Sequence, residues 1–230
     1  MINKRADMRT IIIAVATLFA VIGANAQEQW QPVVESQDAG EVRTWVKAVP
    51  GASVKAFRGE VEVASAPLQV LAVLDGVEAF PQWVFQCKAA ERIPGKGIYL
   101  RFNGIWPVAD RDATLNSKVS VMKSSVVIKT TNIEGIRPED DGYVRIPELN
   151  NLFEVVPLHN GGSRIIFETF VDPGGMVPGF ISNIVSKKGP LVTLNGIKKM
   201  LTDREDMPVS LDQLSSIYQP VRSDLEQLLK

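Results

Sequence analysis

The residue types that could do covalent chemistry are few. A single cysteine, Cys87, and a single histidine, His159, would be needed together for a thiolate–imidazole pair. Nothing in their spacing brings them together, and His159 sits in a Gly-rich turn, His159-Asn160-Gly161-Gly162. Asp110 and Asp112 flank Arg111 and offer carboxylates, but no base accompanies them. There is no cluster with metal-ligand spacing and no Gly-rich loop built to cradle phosphate. An enzyme is therefore not expected, nor a metal or a cofactor. Asp110-Arg111-Asp112 reads first as a structural ion-pair network, since a guanidinium can hold a carboxylate with two parallel hydrogen bonds and fix where a loop leaves a sheet. The functional alternative is a polar anchor at the mouth of a pocket, with Arg145 and Thr169 as further candidates for its polarity.

The elements that would position these groups begin with a leader. Lys4, Arg5 and Arg9 precede an apolar run, Ile11 to Gly23, too short to span a bilayer comfortably. Ala24-Asn25-Ala26 is a small-x-small cleavage site before Gln27. The expectation is export, with the mature chain periplasmic or secreted; an uncleaved anchor is the alternative. No cysteine follows the cleavage site, so the usual bacterial lipoprotein signal is absent. Removing 26 residues from 230 leaves 204, which suits one domain. The leader takes three basic residues and one acidic residue from totals of 25 and 26, leaving a formal charge of −3. That balance gives no reason to expect nucleic acid or strong attraction to anionic lipid heads. A lone cysteine in an exported chain is read as a buried small apolar residue, and the chain as a monomer.

Gln27 to Gly40 is polar and expected to be loose, in a flexible N-terminal segment, 27–41. Thr44–Val49 and Val54–Val63 read as strands, with a slip in alternation that suggests a bulge at Gly59. Ser65-Ala66-Pro67 opens a helix carrying Leu68, Leu71 and Leu74, with Ser65 as its cap and Asp75-Gly76 as its end. Val77–Val84 is a second short helix or turn whose Phe80 and Trp83 read as packing plugs. Strands then follow at Gln86–Ile93, Gly97–Asn103, Thr114–Met122, Ser125–Ile133, Gly142–Ile146, Asn151–Pro157 and Arg164–Val171. Short connections between them imply antiparallel neighbours, and alternation separates a dry face (Ile98, Leu100, Phe102, Val119, Val121, Val126, Ile128, Phe153, Val155, Ile165, Phe167, Thr169) from a wet one.

The turn Asp172-Pro173-Gly174-Gly175 switches the pattern to helical spacing. Val177, Phe180, Ile181, Ile184, Leu191, Leu194 and Leu201 share one side. Gly189-Pro190 interrupts the helix, because proline removes one hydrogen bond and crowds the preceding turn, at about 3 kcal/mol. A kink near Lys188, or two shorter helices, is predicted, either as a bend that wraps the sheet or as a hinge in a lid. Residues 202–230 form a tail with two short helices, Ser210–Tyr218 and Pro220–Lys230, that pack on the domain or dock a partner. The fold class is α+β: a curved antiparallel sheet gripping a long, kinked C-terminal helix.

Trp106-Pro107-Val108 with Arg111-Asp112, Gly142-Tyr143-Val144-Arg145, Asp172-Pro173-Gly174-Gly175 with Val177-Pro178, and the closing helix with Gly189-Pro190 together resemble a START domain, the family of the steroidogenic acute regulatory lipid-transfer proteins within the helix-grip superfamily. The resemblance spans residues 42–201. It implies a curved sheet and a long helix enclosing an apolar tunnel for lipid or sterol, used for carriage or sensing, with transient membrane contact. On that basis the expected lining is Leu71, Leu100, Phe102, Trp106, Val119, Val121, Ile128, Phe153, Phe167, Thr169, Phe180, Ile184, Leu191 and Leu194, with Arg111, Asp112 and Arg145 as polar groups nearby. Several animal members carry an arginine of a buried acid–arginine pair six residues past the Arg-Asp motif; Ser117 stands there in this chain, so anchoring of a sterol hydroxyl by such a pair is in doubt. The rival readings are a ligand-free adaptor of the periplasm and a helix-grip cyclase or hydrolase.

Overall fold

The computed structural model describes residues 29–230; the expected leader lies outside them. Ten strands form one sheet: β1 (Gln31–Val34), β2 (Arg43–Ala48), β3 (Lys55–Val63), β4 (Cys87–Ile93), β5 (Gly97–Phe102), β6 (Arg111–Val121), β7 (Val126–Asn132), β8 (Val144–Arg145), β9 (Glu148–Pro157) and β10 (Ser163–Asp172). Among the described residues three helices accompany them: α1 (Pro67–Asp75), α2 (Gly179–Thr202) and α3 (Arg222–Leu228), with short 3-10 segments at Val77–Gln82, Leu211–Gln213 and Ser216–Val221. The strand order is β1-β2-β3-β10-β9-β7-β6-β5-β4, with β8 on β6. Every pairing is antiparallel except β6 with β8. The α+β architecture of a sheet closed by one long helix is as the sequence predicts.

Four local expectations change. The segment 27–41 is not wholly loose: Gln31–Val34 pairs with β2 and forms the sheet's edge. A strand of four residues at the edge gains its order chiefly from the partner's backbone groups. Gly59 is no bulge. It lies in continuous register opposite Thr44 and Phe167, and a Cβ there would come within 2.6 Å of Leu194 Cδ1 and 3.2 Å of Pro190 Cβ. Glycine is needed because the helix crosses the sheet at this point. Ser65 does not cap α1: its carbonyl instead accepts the Ser163 hydroxyl at 2.8 Å, and the cap position belongs to Ala66, whose N–H bonds Gln69 Oε1 at 3.0 Å. Residues 142–146 contribute only the two residues of β8.

Helix α2 is a single run of 24 residues through Pro190, not two helices. Its two halves have different partners. Leu194, Ile197, Met200 and Leu201 are buried in a core with Val61, Leu71, Val126, Val155 and Ile165. Gly196 meets the backbone of Trp83 so closely that a Cβ would lie 2.7 Å from the Trp83 Cα, and Gly189 lies against the Phe57 ring. A second core, Val77, Ile98, Leu100, Ala113, Leu115, Ile146 and Leu149, lies under β5 and β6. The tail joins the first core through Leu214, Tyr218 and Leu225. Outside, the charged side chains form a cross-strand ladder, Arg43–Glu60–Arg58–Glu168 with Arg164–Glu62, at 2.7–3.4 Å.

Candidate functional site

A cavity of about 650 Å³ lies between the two cores. Residues from β3 at one side (Phe57) and β5 at the other (Ile98, Leu100, Phe102) both line it, so the sheet curls around the space. Its roof is the first half of α2. Ile181, Val185, Gly189 and Thr193 follow one another at four-residue steps down one helix face, with Ser182 and Ser186 beside them. The roof therefore ends where Pro190 and Leu194 land on Gly59. Aromatic rings form one wall. Phe80 meets Trp83 edge-on at 4.8 Å, Trp83 meets Phe153 at 6.2 Å, and Phe153 stacks on Phe167 at 4.4 Å. Phe80 and Trp83 pack in and against the first core, as expected, and each of these rings also lines the space. The tail supplies another part, Ser216 to Tyr218.

Of the residues expected to line a cavity, Leu100, Phe102, Ile128, Phe153, Phe167, Thr169 and Arg111 do so. Eight do not. Leu71, Val119, Val121, Leu191 and Leu194 are in or against the first core, where α1, the second half of α2 and the tail leave no space over the dry face. Ile184 is half-buried and points away from the roof face. Trp106 and Phe180 are 87% and 56% exposed, on the outer side of segments whose neighbours Ile105, Val108, Val177 and Ile181 line the space. Val185, Leu149, Ile146 and Phe57 were missed. Helical phase would have marked Val185, but alternation alone does not tell which part of a dry face is left uncovered.

Asp112 and Arg145, expected as polar groups near the cavity, stand behind its lining, next to Arg111 and Ile146, which face it. Arg145 holds the Asp112 carboxylate with two bonds, Nε at 2.7 Å and Nη2 at 3.0 Å, and the Tyr99 hydroxyl donates to it at 2.8 Å. Burial pushes the Asp112 carboxyl up, but those donors outweigh it and its pKa falls below the ordinary carboxylate value. The pair bolts β8 to β6, where Asp112 faces Arg145 in register. Asp110 accepts from the Gly104 N–H at 2.8 Å and Lys88 at 3.0 Å, which orders the β5–β6 loop. The triplet is thus a structural network, as its composition suggests. Arg111 differs. It is 8% exposed and lines the cavity. It donates to carbonyls only: Ala109, Pro173 at 3.4 Å and Gly174 at 3.4 Å. Burial lowers its pKa. It ties the β5–β6 loop to the turn before α2, where Gly174 and Gly175 take positive φ and Asp172 Oδ1 accepts the Gly174 N–H at 3.0 Å.

The tail is clasped by α1. Asp75 accepts the Ser215 N–H at 2.7 Å and its hydroxyl at 2.6 Å, and Arg92 donates to the Asp75 carboxylate at 3.2 Å and carbonyl at 2.6 Å. Beside them the Tyr218 hydroxyl is buried without a partner among the described residues, and burial together with Asp75 raises its pKa. Cys87 is buried, and desolvation pushes its thiol up to about 12. Cys87 on β4 and His159 after β9 are not brought together, since three strands separate β4 from β9. Among the described residues, no group of three or more His, Cys, Asp or Glu is placed to hold a metal ion.

No family model matches the chain. An uncharacterized protein of Pseudomonas aeruginosa is 24% identical over 205 residues, covering 87% of this chain and all of the relative. Among solved structures, a STAR-related lipid transfer protein fragment from Xanthomonas axonopodis superposes with a TM-score of 0.67 at 25% identity, over 75% of this chain and 98% of that one. Human StAR-related lipid transfer protein 5 gives 0.65 at 14% identity, over 86% and 100%. Human STARD10 gives 0.63 at 16% identity, over 96% and 89%. The chain is therefore START-like, a helix-grip protein with the fold of the StAR-related lipid-transfer domains.

Proposed function

We propose that this chain binds a lipid or sterol-like molecule beneath the first half of α2 and carries or senses it in the periplasm after loss of Met1–Ala26. The observation that supports this reading is the 650 Å³ space between the two cores, within the range of about 300–1,000 Å³ typical of small-molecule sites. Membranes already shelter a lipid's methylenes, each worth about 0.8 kcal/mol, so a carrier need only offer an equally dry place. The rim supports a bilayer as the place of exchange. Trp106, Met176 and Phe180 are 87%, 96% and 56% exposed and flank the two segments that Arg111 joins at the cavity's edge. Exposed aromatics and thioethers beside an apolar opening suit transient insertion among lipid headgroups. Among the described residues no helix is long and apolar enough to cross a membrane.

Non-catalytic carriage is favoured over an adaptor that docks through its tail, because Leu214, Tyr218 and Leu225 are already buried in the chain's own core. The deciding experiment purifies the protein from its own cells and identifies extracted lipid by mass spectrometry. Lipid is expected in the wild type and not in Val185→Trp, which fills the roof side of the space. An equally empty wild type, after exposure to vesicles of its own membrane lipids, would overturn the reading.

A further inference from the structure

The floor of the cavity is not uniformly apolar. Ser117 lies opposite Thr130, Thr130 opposite Asn151, and Asn151 opposite Thr169. These four residues form one row across β6, β7, β9 and β10, and all four line the space. The row on one side of it is Val119, Ile128, Phe153 and Phe167. On the other side lie Leu115, Leu149 and Val171, with Asn132 opposite Leu115, its amide already bonded to the Ile146 carbonyl and the Leu149 N–H. A line of hydroxyls and an amide thus crosses an otherwise oily floor. Burying such groups costs free energy unless their hydrogen bonds are made. Here they are made only in part. Ser117 Oγ and Thr130 Oγ1 share one bond at 2.8 Å, and the Thr169 hydroxyl donates to Asn151 Oδ1. An asparagine side chain can make about four bonds, and neither hydrogen of Asn151 Nδ2 has a partner among the described residues. One hydroxyl hydrogen of the Ser117–Thr130 pair is also left over.

From this row we infer that the ligand is an uncharged lipid carrying a hydrogen-bond-accepting oxygen, an alcohol or an ester, seated over Asn151 with its hydrocarbon body under α2. The inference rests on the carrier reading above and narrows it. No ionisable side chain stands in the row or in the two rows beside it, so a carboxylate or phosphate placed there would be desolvated without a countercharge. Of the cations that line the space, Arg111 already serves the loop carbonyls of Ala109, Pro173 and Gly174, Arg92 serves the Asp75 carboxylate and carbonyl, and Lys55 and Lys96 are exposed to solvent. Size agrees: 650 Å³ equals the share of liquid volume of about twenty waters, so a molecule of about that many heavy atoms fits.

The test offers the full mature chain vesicles of phosphatidylcholine doped equally with octadecane, oleyl alcohol, methyl oleate and sodium oleate. Protein is repurified and its bound lipid measured by gas chromatography. Oleyl alcohol and methyl oleate should exceed octadecane by roughly tenfold, the effect of about 1.4 kcal/mol for one or two hydrogen bonds. In Asn151→Leu that preference should fall several-fold while octadecane binding persists, and Thr130→Val should weaken it less; unchanged thermal unfolding certifies both variants. Equal uptake of all four probes by the wild type overturns the polar row but leaves the carrier. Preference for oleate overturns it in favour of an acid held at Arg111. Uptake of phosphatidylcholine in place of the four probes overturns the polar row but leaves the carrier, and uptake of neither probe nor phosphatidylcholine defeats the carrier reading itself.

Discussion

Asp112 illustrates how a residue can carry a motif without touching the site. With 1% of its side chain exposed, its charge is supported by Arg145 and the Tyr99 hydroxyl, with the Arg101 guanidinium behind Tyr99. Removing one partner of a buried pair strands the other, at about 3 kcal/mol or more. Asp112→Ala is therefore expected to lower stability by about that much in urea unfolding at pH 7, while lipid uptake at low temperature stays near wild type. The pH dependence has a definite sign. The folded pKa of Asp112 is depressed, so its contribution is fully present above the ordinary value of 3.8 and is lost as pH falls through the lower folded value. Wild-type stability should drop across that acid window, and the drop should be shallower in Asp112→Asn. From sequence alone the triplet's ion-pair character was legible because three charges side by side need partners. That Arg111 would turn inward and Asp112 outward was also implicit in strand alternation, but only once β6 was known to begin at Arg111 and not at Thr114.

At the scale of elements, α2 is half clamp and half roof. Its second half is fixed by the close contacts of Gly59 with Leu194 and of Gly196 with Trp83. Its first half covers space. Pro190, buried at the junction, supplies no N–H to the Ser186 carbonyl, so the helix is weakest where its role changes. Pro190→Ala restores that bond and should slow vesicle-to-vesicle transfer more than it weakens equilibrium binding; equal losses in both would argue against a moving roof. Gly196→Ala tests the clamp. The added Cβ would meet Trp83 backbone atoms at 2.7–2.9 Å, which cannot swing aside. A thermal midpoint lower than wild type is expected, despite alanine's advantage of about 1 kcal/mol in a helix. The proline was conspicuous in the sequence, but glycines that admit a neighbour were not: Gly59 looked like a strand irregularity because its reason, Pro190 and Leu194, lies far along the chain on another element.

The whole molecule is a single sheet closed twice, by α2 and by the tail. The strand sequence, the dry face and the final helix were legible because each rests on local periodicity. The position of the empty space was not, because it depends on how much of that face α1, α2 and the tail cover together. Trp106 and Phe180 show the limit from the other direction: bulk and hydrophobicity suggested the interior, and the fold places both outside at the rim. The tail's share in closure makes Asp75 a testable latch. Asp75→Ala removes both acceptors of Ser215, so hydrogen exchange at Leu214, Ser215 and Tyr218 should quicken while that of Leu194 to Leu201 is unchanged. Uniform quickening across the chain would mean that Asp75 supports the fold at large, not the tail.

Cys87 sits against the β4–β5 pairing with its thiol held protonated to about pH 12. A lone sulfur leaves the chain no internal cross-link to form, and folding shields it from a second thiol. With no internal disulfide to reduce, the folded chain's thermal midpoint should be the same with and without reduced glutathione.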